Sequence, residues 1–600
     1  MQQKRLLLAL LISVVILALW SYFFVKPAPA PPANQPTASA SPSPAAATAT
    51  VSPVVTPTPG STPTTTALSS QPQSQPQRMV VIKTPLYEAK LDSQGAEVVS
   101  WIIKKNKDSG REIHSVAGTK TNPAPLELVS AEGLKRQPRQ APLQLVTGDG
   151  ALDGTLMNSG YAVEGVDSAS GNVELNLASN EKKQITFSLR DPATGLDVSK
   201  TIAFAADNYT IDLEVKIKRG DQTVPAKLKV GPSIGDQGVK HYTFYSVAPE
   251  GIASLGDKVE RHTAASINEG KGDRLVVPGG VDWGAVGDTY FSMVAIPSKR
   301  SEGLEFHTIQ YDYSTNGKPE KRYLTEAIVP IPTDGSKTVV YIGPKDHFIL
   351  TEDSQQVSGM LGRPIDLEGL IDYGWFTWLS RPIAVPILKA IRWLYRLTNS
   401  YGVAIILFTI VIYSLFFPLK WRSSKAMKKA QKLAPRMKEL QEKIKGMKQN
   451  DPKLKELQME QLRLMKEGNP LGGCLPLLIQ MPFLFALYRA ITISLDFRQA
   501  TFLWLPDLSA GDPIHILEFL MAGTMIVLQL ITPAPSADPM QRKMMAIGMP
   551  LFMLYVLWGA PSGLLVYWLV GNIVGFSQQF LINHLTKTDG DVPAAAASKA

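Results

Sequence analysis

What most constrains this chain is a block of positive charge wedged between apolar runs. Residues 401–419 form an uncharged apolar stretch, and another begins near Leu475. Between them, residues 421–467 carry 14 Lys/Arg against 6 Asp/Glu. About 20 apolar residues in a helix cross about 30 Å of hydrocarbon, and cationic loops between such spans stay on the cytoplasmic side. The pattern predicts a membrane protein and excludes a simple soluble enzyme. Further apolar runs at 475–495, 514–531, 544–558 and 563–582 complete five core spans, with Arg542 and Lys543 in a second cytoplasmic connection.

The amino-terminal half is built differently. Lys4 and Arg5 precede an uncharged run, so residues 1–26 are expected to be a transmembrane anchor; Pro31, directly after the Ala28-Pro29-Ala30 triplet, disfavours a cleaved leader. Residues 27–78 are rich in Pro, Ala, Ser and Thr, and no charge falls between Pro27 and Gln77, the composition of a disordered linker. From 79 to 364 the period becomes two. Ile211, Leu213, Val215 and Ile217 alternate with charged residues, and 173–177 and 185–189 repeat the pattern, which predicts a large β-sandwich outside the cytoplasm. Residues 381–398 predict an interfacial amphipathic helix. On it Lys389, Arg392 and Arg396 share a polar face, and Trp375, Trp378 and Trp393 suit a membrane boundary. An ordinary helix packed on the sandwich is the rival reading. Six spans in all put both termini, including the short tail 584–600, in the cytoplasm.

The basic segment 421–467 carries a heptad seam, Ala430, Leu433, Met437, Leu440, Ile444 and Met447, broken at Asn450-Asp451-Pro452. Leu454, Leu457 and Leu464 supply a facing stripe, which predicts an antiparallel helical hairpin. Its charge is either a solvated face beside anionic lipid or a dock for ribosomes, targeting factors or nascent chains. A single cysteine, Cys474, excludes a disulfide framework and any multi-cysteine zinc site, and Walker, HExxH and GxSxG patterns are absent. No cofactor, metal or catalytic residue is expected, nor sequence-specific nucleic-acid binding.

The run from Asn469 through Pro482, NPLGGCLPLLIQMP, resembles the signature of the YidC family of membrane protein insertases. Leu495-Asp496-Phe497-Arg498-Gln499-Ala500, Asp507-Leu508-Ser509, Asp538-Pro539-Met540-Gln541 and Pro561-Ser562-Gly563-Leu564 fit the same pattern in order. The anchor and large exported domain resemble the Gram-negative branch. The resemblance implies a multi-domain membrane protein: an all-β periplasmic supersandwich, an α-helical core of five transmembrane helices with a cytoplasmic hairpin, and the anchor. It also implies insertion of nascent proteins into the inner membrane through a hydrophilic groove open to the cytoplasm, alone or with the Sec translocon. Two other classes stay in view, a sugar-mutarotase-like enzyme domain on an anchor and a channel or transporter. His114, His241, His262 and His307 are the groups an enzyme would use, and their spacing fixes no acid/base pair.

An insertase must lower the cost of moving a polar tail through hydrocarbon, and a cation found inside a span implies a wet cavity, because a charge facing hydrocarbon is costly. The resemblance places the family's groove arginine five residues before the terminal Pro of the first core span, which here is Tyr413. The strongest cation inside a predicted span is Arg489. Arg489 is therefore expected to supply the groove charge, with Tyr413 the phenol and Thr409 one turn away; a helix ending early or an arginine reaching the outer interface is the rival. Tyr488, Gln480 and Gln529 are further candidate groove residues, with Tyr567, Asn572, Gln578 and Gln579 behind them.

Overall fold

The computed structural model describes residues 75–586, apart from 167–170, 244, 316–317, 375–376, 446, 448–451, 469–470, 533–539 and 541–542. The expected anchor, nearly all of the linker and most of the tail lie outside the described residues, as does Trp375.

Alternating side chains set the strands of the amino-terminal part. In Thr210–Arg219, Ile211, Leu213, Val215 and Ile217 are buried while Lys216 and Lys218 are exposed. This strand lies in a ten-stranded sheet, between Asp334–Pro344 and Leu196–Ala205. One face of that sheet meets a layer made of two smaller sheets side by side. Towards one end is a five-stranded sheet centred on Lys318–Ile331, whose Val329 packs with Leu304 over Gly284. Towards the other is a six-stranded sheet centred on Glu97–Ile103 and Tyr87–Asp92. There the buried Lys200 donates to the Ala96 and Leu143 carbonyls, 2.5 and 2.6 Å away, and burial pushes its ammonium down to about 7. Helix α1, His347–Leu361, follows the last strand and carries the buried Asp353 close to Tyr209 and Tyr341.

The helical part begins with α2, Thr377–Thr398, and α3, Tyr401–Lys445. After these come α4 (Pro452–Gly468), α5 (Leu471–Ile493), α6 (Ile516–Ile531), α7 (Met549–Val556) and α8 (Ser562–Leu585). Among the described residues, α3 and α8 are long and apolar enough to cross a membrane, and α6 is a shorter apolar helix.

Three expectations change. The span 401–419 and the first arm of the hairpin are one unbroken helix of 45 residues, about 68 Å long. Pro418 costs it a backbone hydrogen bond, but beyond that point Lys420 and Lys428 reach α8 at Gly575 O (2.7 Å) and Thr586 Oγ1 (2.6 Å), holding the helix on course. The predicted seam then packs on α4, with Leu440 and Leu464 buried and Arg436 3.3 Å from Glu460. The second core span, expected to reach Leu495, ends at Ile493. The fourth, expected over 544–558, opens with a wider π turn at Met544–Gly548 and ends at Val556.

On α2 the expected polar face is also redrawn. Lys389 and Arg396 are exposed, as are Trp378, Trp393 and Leu397, but Arg392 is buried. It sits four residues beyond Leu388 and eight beyond Ala384, so it continues the buried stripe.

Candidate functional site

A cavity of about 280 Å³ lies between α3, α5, α6 and α8, far above the roughly 10–15 Å³ one water needs. Its α3 wall is one helical face: Tyr413, Phe416, Lys420, Ser423, Ser424 and Met427 recur three or four residues apart. Gln480 of α5 and Gln578 and Gln579 of α8 add polar groups. Room for them depends on two glycines one turn apart on α8. A Cβ at Gly571 would collide with the Tyr413 hydroxyl, and one at Gly575 would stand 3.3 Å from Lys420 Nζ.

Hydrogen bonds hold the walls without filling the space. Gln480 Nε2 donates to Tyr413 Oη (3.4 Å), Gln578 Nε2 to the Tyr413 carbonyl (2.9 Å) and Gln579 Nε2 to Ser424 Oγ (3.1 Å). Among the described residues Lys420 Nζ reaches the Gly575 carbonyl, and no carboxylate forms an ion pair with it. The half-buried ammonium thus keeps donors free for water or a ligand. Two lining residues, Tyr413 and Phe416, belong to a cluster of aromatic rings: Tyr567 lies 6.2 Å from Tyr413 and 6.4 Å from Phe483, and Phe416 lies 6.3 Å from Phe483. Along α3, Tyr413 is about 18 Å and Lys420 about 28 Å from Tyr401, so the cavity occupies the half of the bundle nearer the hairpin.

The opposite end of the bundle carries a dense ionic junction with the β domain. Arg392 of α2 pairs with Asp346 (2.5 Å), with Asp496 (2.5 Å) and with Asp108. Burial works against its charge, but Asp346 and Asp496 outweigh this and hold the guanidinium above its ordinary range. Tyr401, the first residue of α3, donates to the same Asp496 at 2.9 Å. A second arginine, Arg498, pairs with Asp236, and Arg111 donates to the carbonyls of Leu495, Asp496 and Arg498.

The structure separates the residues expected to share a groove. Tyr413 and Gln480 line the cavity together. Arg489 does not; it lies about one turn before the end of α5, where its guanidinium bonds the carbonyl and, at 2.9 Å, the carboxylate of Asp372. The expected pairing of Arg489 with Tyr413 in one cavity is therefore corrected. With α5 ending at Ile493, Arg489 lies near the β-domain end of the bundle, where the Asp372 carboxylate is within reach. Tyr488 faces the β domain, edge-on to Tyr245 at 5.9 Å. Thr409 is buried and donates back to the Ile405 carbonyl of its own helix (2.6 Å). Gln529 is half-buried outside the cavity lining. Asn572 binds Met521 O and Thr524 Oγ1 on α6. The missed residues are Lys420, Ser423, Ser424 and Met427. Their signal was the helical spacing carried straight through Pro418.

The histidines of the β domain form no common centre. His114, His241, His262 and His307 each face a different glutamate, at 3.6, 3.8, 3.5 and 3.1 Å.

A β domain carried on helices that associate with a membrane, with a polar cavity among those helices, defines a class of membrane-embedded proteins. Residues 79–386 match the family described as YidC periplasmic domain, and residues 393–589 match 60Kd inner membrane protein. The membrane protein insertase YidC of Citrifermentans bemidjiense is 31% identical over 521 residues, covering 84% of this chain and 85% of the relative. That of Geotalea daltonii is 34% identical over 420 residues, covering 68% and 73%. A solved structure, "Active YidC insertase crystal structure with the first transmembrane domain resolved", is 18% identical with a TM-score of 0.31, covering 83% of this chain and 91% of that one. The chain belongs to the YidC family of membrane protein insertases, with a β-rich periplasmic domain and a helical carboxyl-terminal region.

Proposed function

We propose that this chain integrates newly made proteins into the bacterial inner membrane, and that the cavity between α3, α5, α6 and α8 receives the polar segment of the substrate. In this reading the β domain is periplasmic, the α3–α4 hairpin projects into the cytoplasm, and the anchor and five core spans leave both termini cytoplasmic. The hairpin meets lipid headgroups, a ribosome or a targeting factor, and the Sec translocon is a partner for some substrates. No covalent step and no nucleotide is needed.

One observation carries the reading: Lys420 is a half-buried cation that faces a cavity of about 280 Å³ with no carboxylate among the described residues to neutralise it. A charged residue at the centre of a bilayer costs about 2.5–3.5 kcal/mol on insertion scales. A wet pocket with a cation lowers that cost for an acidic tail, while the apolar remainder of the substrate partitions into lipid. Tyr413, Gln480, Gln578 and Gln579 supply neutral hydrogen-bonding groups along the same route.

The test is integration of a single-span protein with a short acidic tail into liposomes containing only this chain. Lys420→Met is expected to lower integration about tenfold, equivalent to about 1.4 kcal/mol, and Lys420→Arg to keep most of it. A Lys420→Met chain working at the parental rate refutes the assigned groove. A parent that integrates nothing refutes the function itself.

A further inference from the structure

The ionic junction and the cavity lie at opposite ends of the same helices, and the geometry connects them. Arg392 pairs with three carboxylates from three segments: Asp108 in a loop of the β domain, Asp346 at the start of α1, and Asp496 just beyond α5. Asp496 also accepts from Tyr401 at the start of α3. A single side chain on α2 therefore ties the end of α5, through Asp496 the start of α3, and the β domain to one point. From that point α3 and α5 run antiparallel. The Tyr413–Gln480 contact lies 12 residues down one helix and 13 residues back along the other from Ile493, about 18 and 20 Å. Between pin and groove the helices are packed solid, with Ile405 and Leu487 buried and Phe408 stacked on Phe483 at 6.2 Å.

We propose that Arg392 is a positioning residue for the groove: it fixes the relative register of α3 and α5 at the β-domain end, and so holds Tyr413 and Gln480 opposite one another at the cavity. The β domain thereby acts as an external frame for the membrane helices. Arginine suits the position because its planar fork offers five donors in fixed directions, whereas a lysine ammonium offers three on a flexible stem. Arg498 on Asp236 and Arg111 on the carbonyls after α5 brace the same point, which keeps the frame from turning about one contact.

The inference rests on the groove assignment above, and its main test is independent of substrate. The full chain, with Cys474→Ser, receives Tyr413→Cys and Gln480→Cys and is treated in proteoliposomes with a short bis-maleimide. A reference pair, Ser424→Cys with Gln579→Cys, reports α3 against α8, which the junction does not join. Arg392→Met is expected to lower cross-linking of the 413/480 pair at least threefold while sparing the 424/579 pair, and Arg392→Lys to restore part of it. Should Arg392→Met abolish both pairs by unfolding the chain, Arg392→Lys and Asp108→Asn decide. Each must lower the 413/480 yield alone. Unchanged 413/480 cross-linking in those variants overturns the proposal. So does an Arg392→Met chain, otherwise native, that loses integration while its 413/480 yield stays parental. A parent that integrates nothing sinks the function and leaves the cross-linking result standing.

Discussion

Arg392 and Lys420 are cations withdrawn from bulk water in the same helical bundle, and they are treated in opposite ways. Arg392 is buried and meets three carboxylates; Lys420 is half-buried, meets one carbonyl and faces an open cavity. The first arrangement engages all three guanidinium nitrogens with the protein's own carboxylates, so it serves to fix structure. The second leaves donors available, so it can take a transient partner. The cavities differ in the same sense. The space beside Arg392 is about 10 Å³, the least that admits a water, against about 280 Å³ beside Lys420.

Stability separates the two most strongly. Removing one member of a buried ion pair typically costs about 3–5 kcal/mol, because the partner charge is left without compensation. Arg392→Met strands Asp346 and Asp496, both nearly inaccessible, and is expected to lower the melting temperature of the detergent-solubilised chain markedly. Lys420→Met strands no opposite charge and is expected to melt within a few degrees of the parent. Equal losses for both would erase the distinction, since Lys420 would then be structural as well.

Arg489 sharpens the comparison from the weaker side. Its side chain is 16% exposed and that of its carboxylate partner Asp372 is 44% exposed, so water reaches the carboxylate when the arginine is removed and the loss is expected to fall below the roughly 3–5 kcal/mol of a fully buried pair. Arg489→Gln is expected to lower melting less than Arg392→Met does and to leave integration of an acidic-tailed substrate within about twofold of the parent. A tenfold loss of integration there, with Lys420→Met silent, would return the groove charge to α5.

Much of the fold was legible because it is written in local periodicity. The alternation at Ile211–Ile217 became a strand with one dry face, and the seam from Ala430 to Ile444 became the contact with α4. The polar cavity was half legible. Tyr413 and Gln480 stand out as hydrogen-bonding groups in apolar runs, but a charge at residue 420 reads as the end of a span, so Lys420 was assigned to the boundary. What was not legible is long-range pairing. Arg489 finds Asp372 across 117 residues, and Arg392 finds Asp108 across 284. Helical spacing put Arg392 on a polar face with Lys389 and Arg396. The stripe through Ala384 and Leu388 passes close enough to take it inside once carboxylates wait there.

The central claim is that Lys420 sits in water reached from the hairpin side. The direct measurement replaces Cys474 by serine, introduces Lys420→Cys, and treats oriented proteoliposomes with a charged, membrane-impermeant thiol reagent from each face in turn. The account predicts rapid modification from the face bearing the α3–α4 hairpin, and little from the face bearing the β domain. A thiol that reacts only after the membrane is dissolved, or only from the β-domain face, would contradict it.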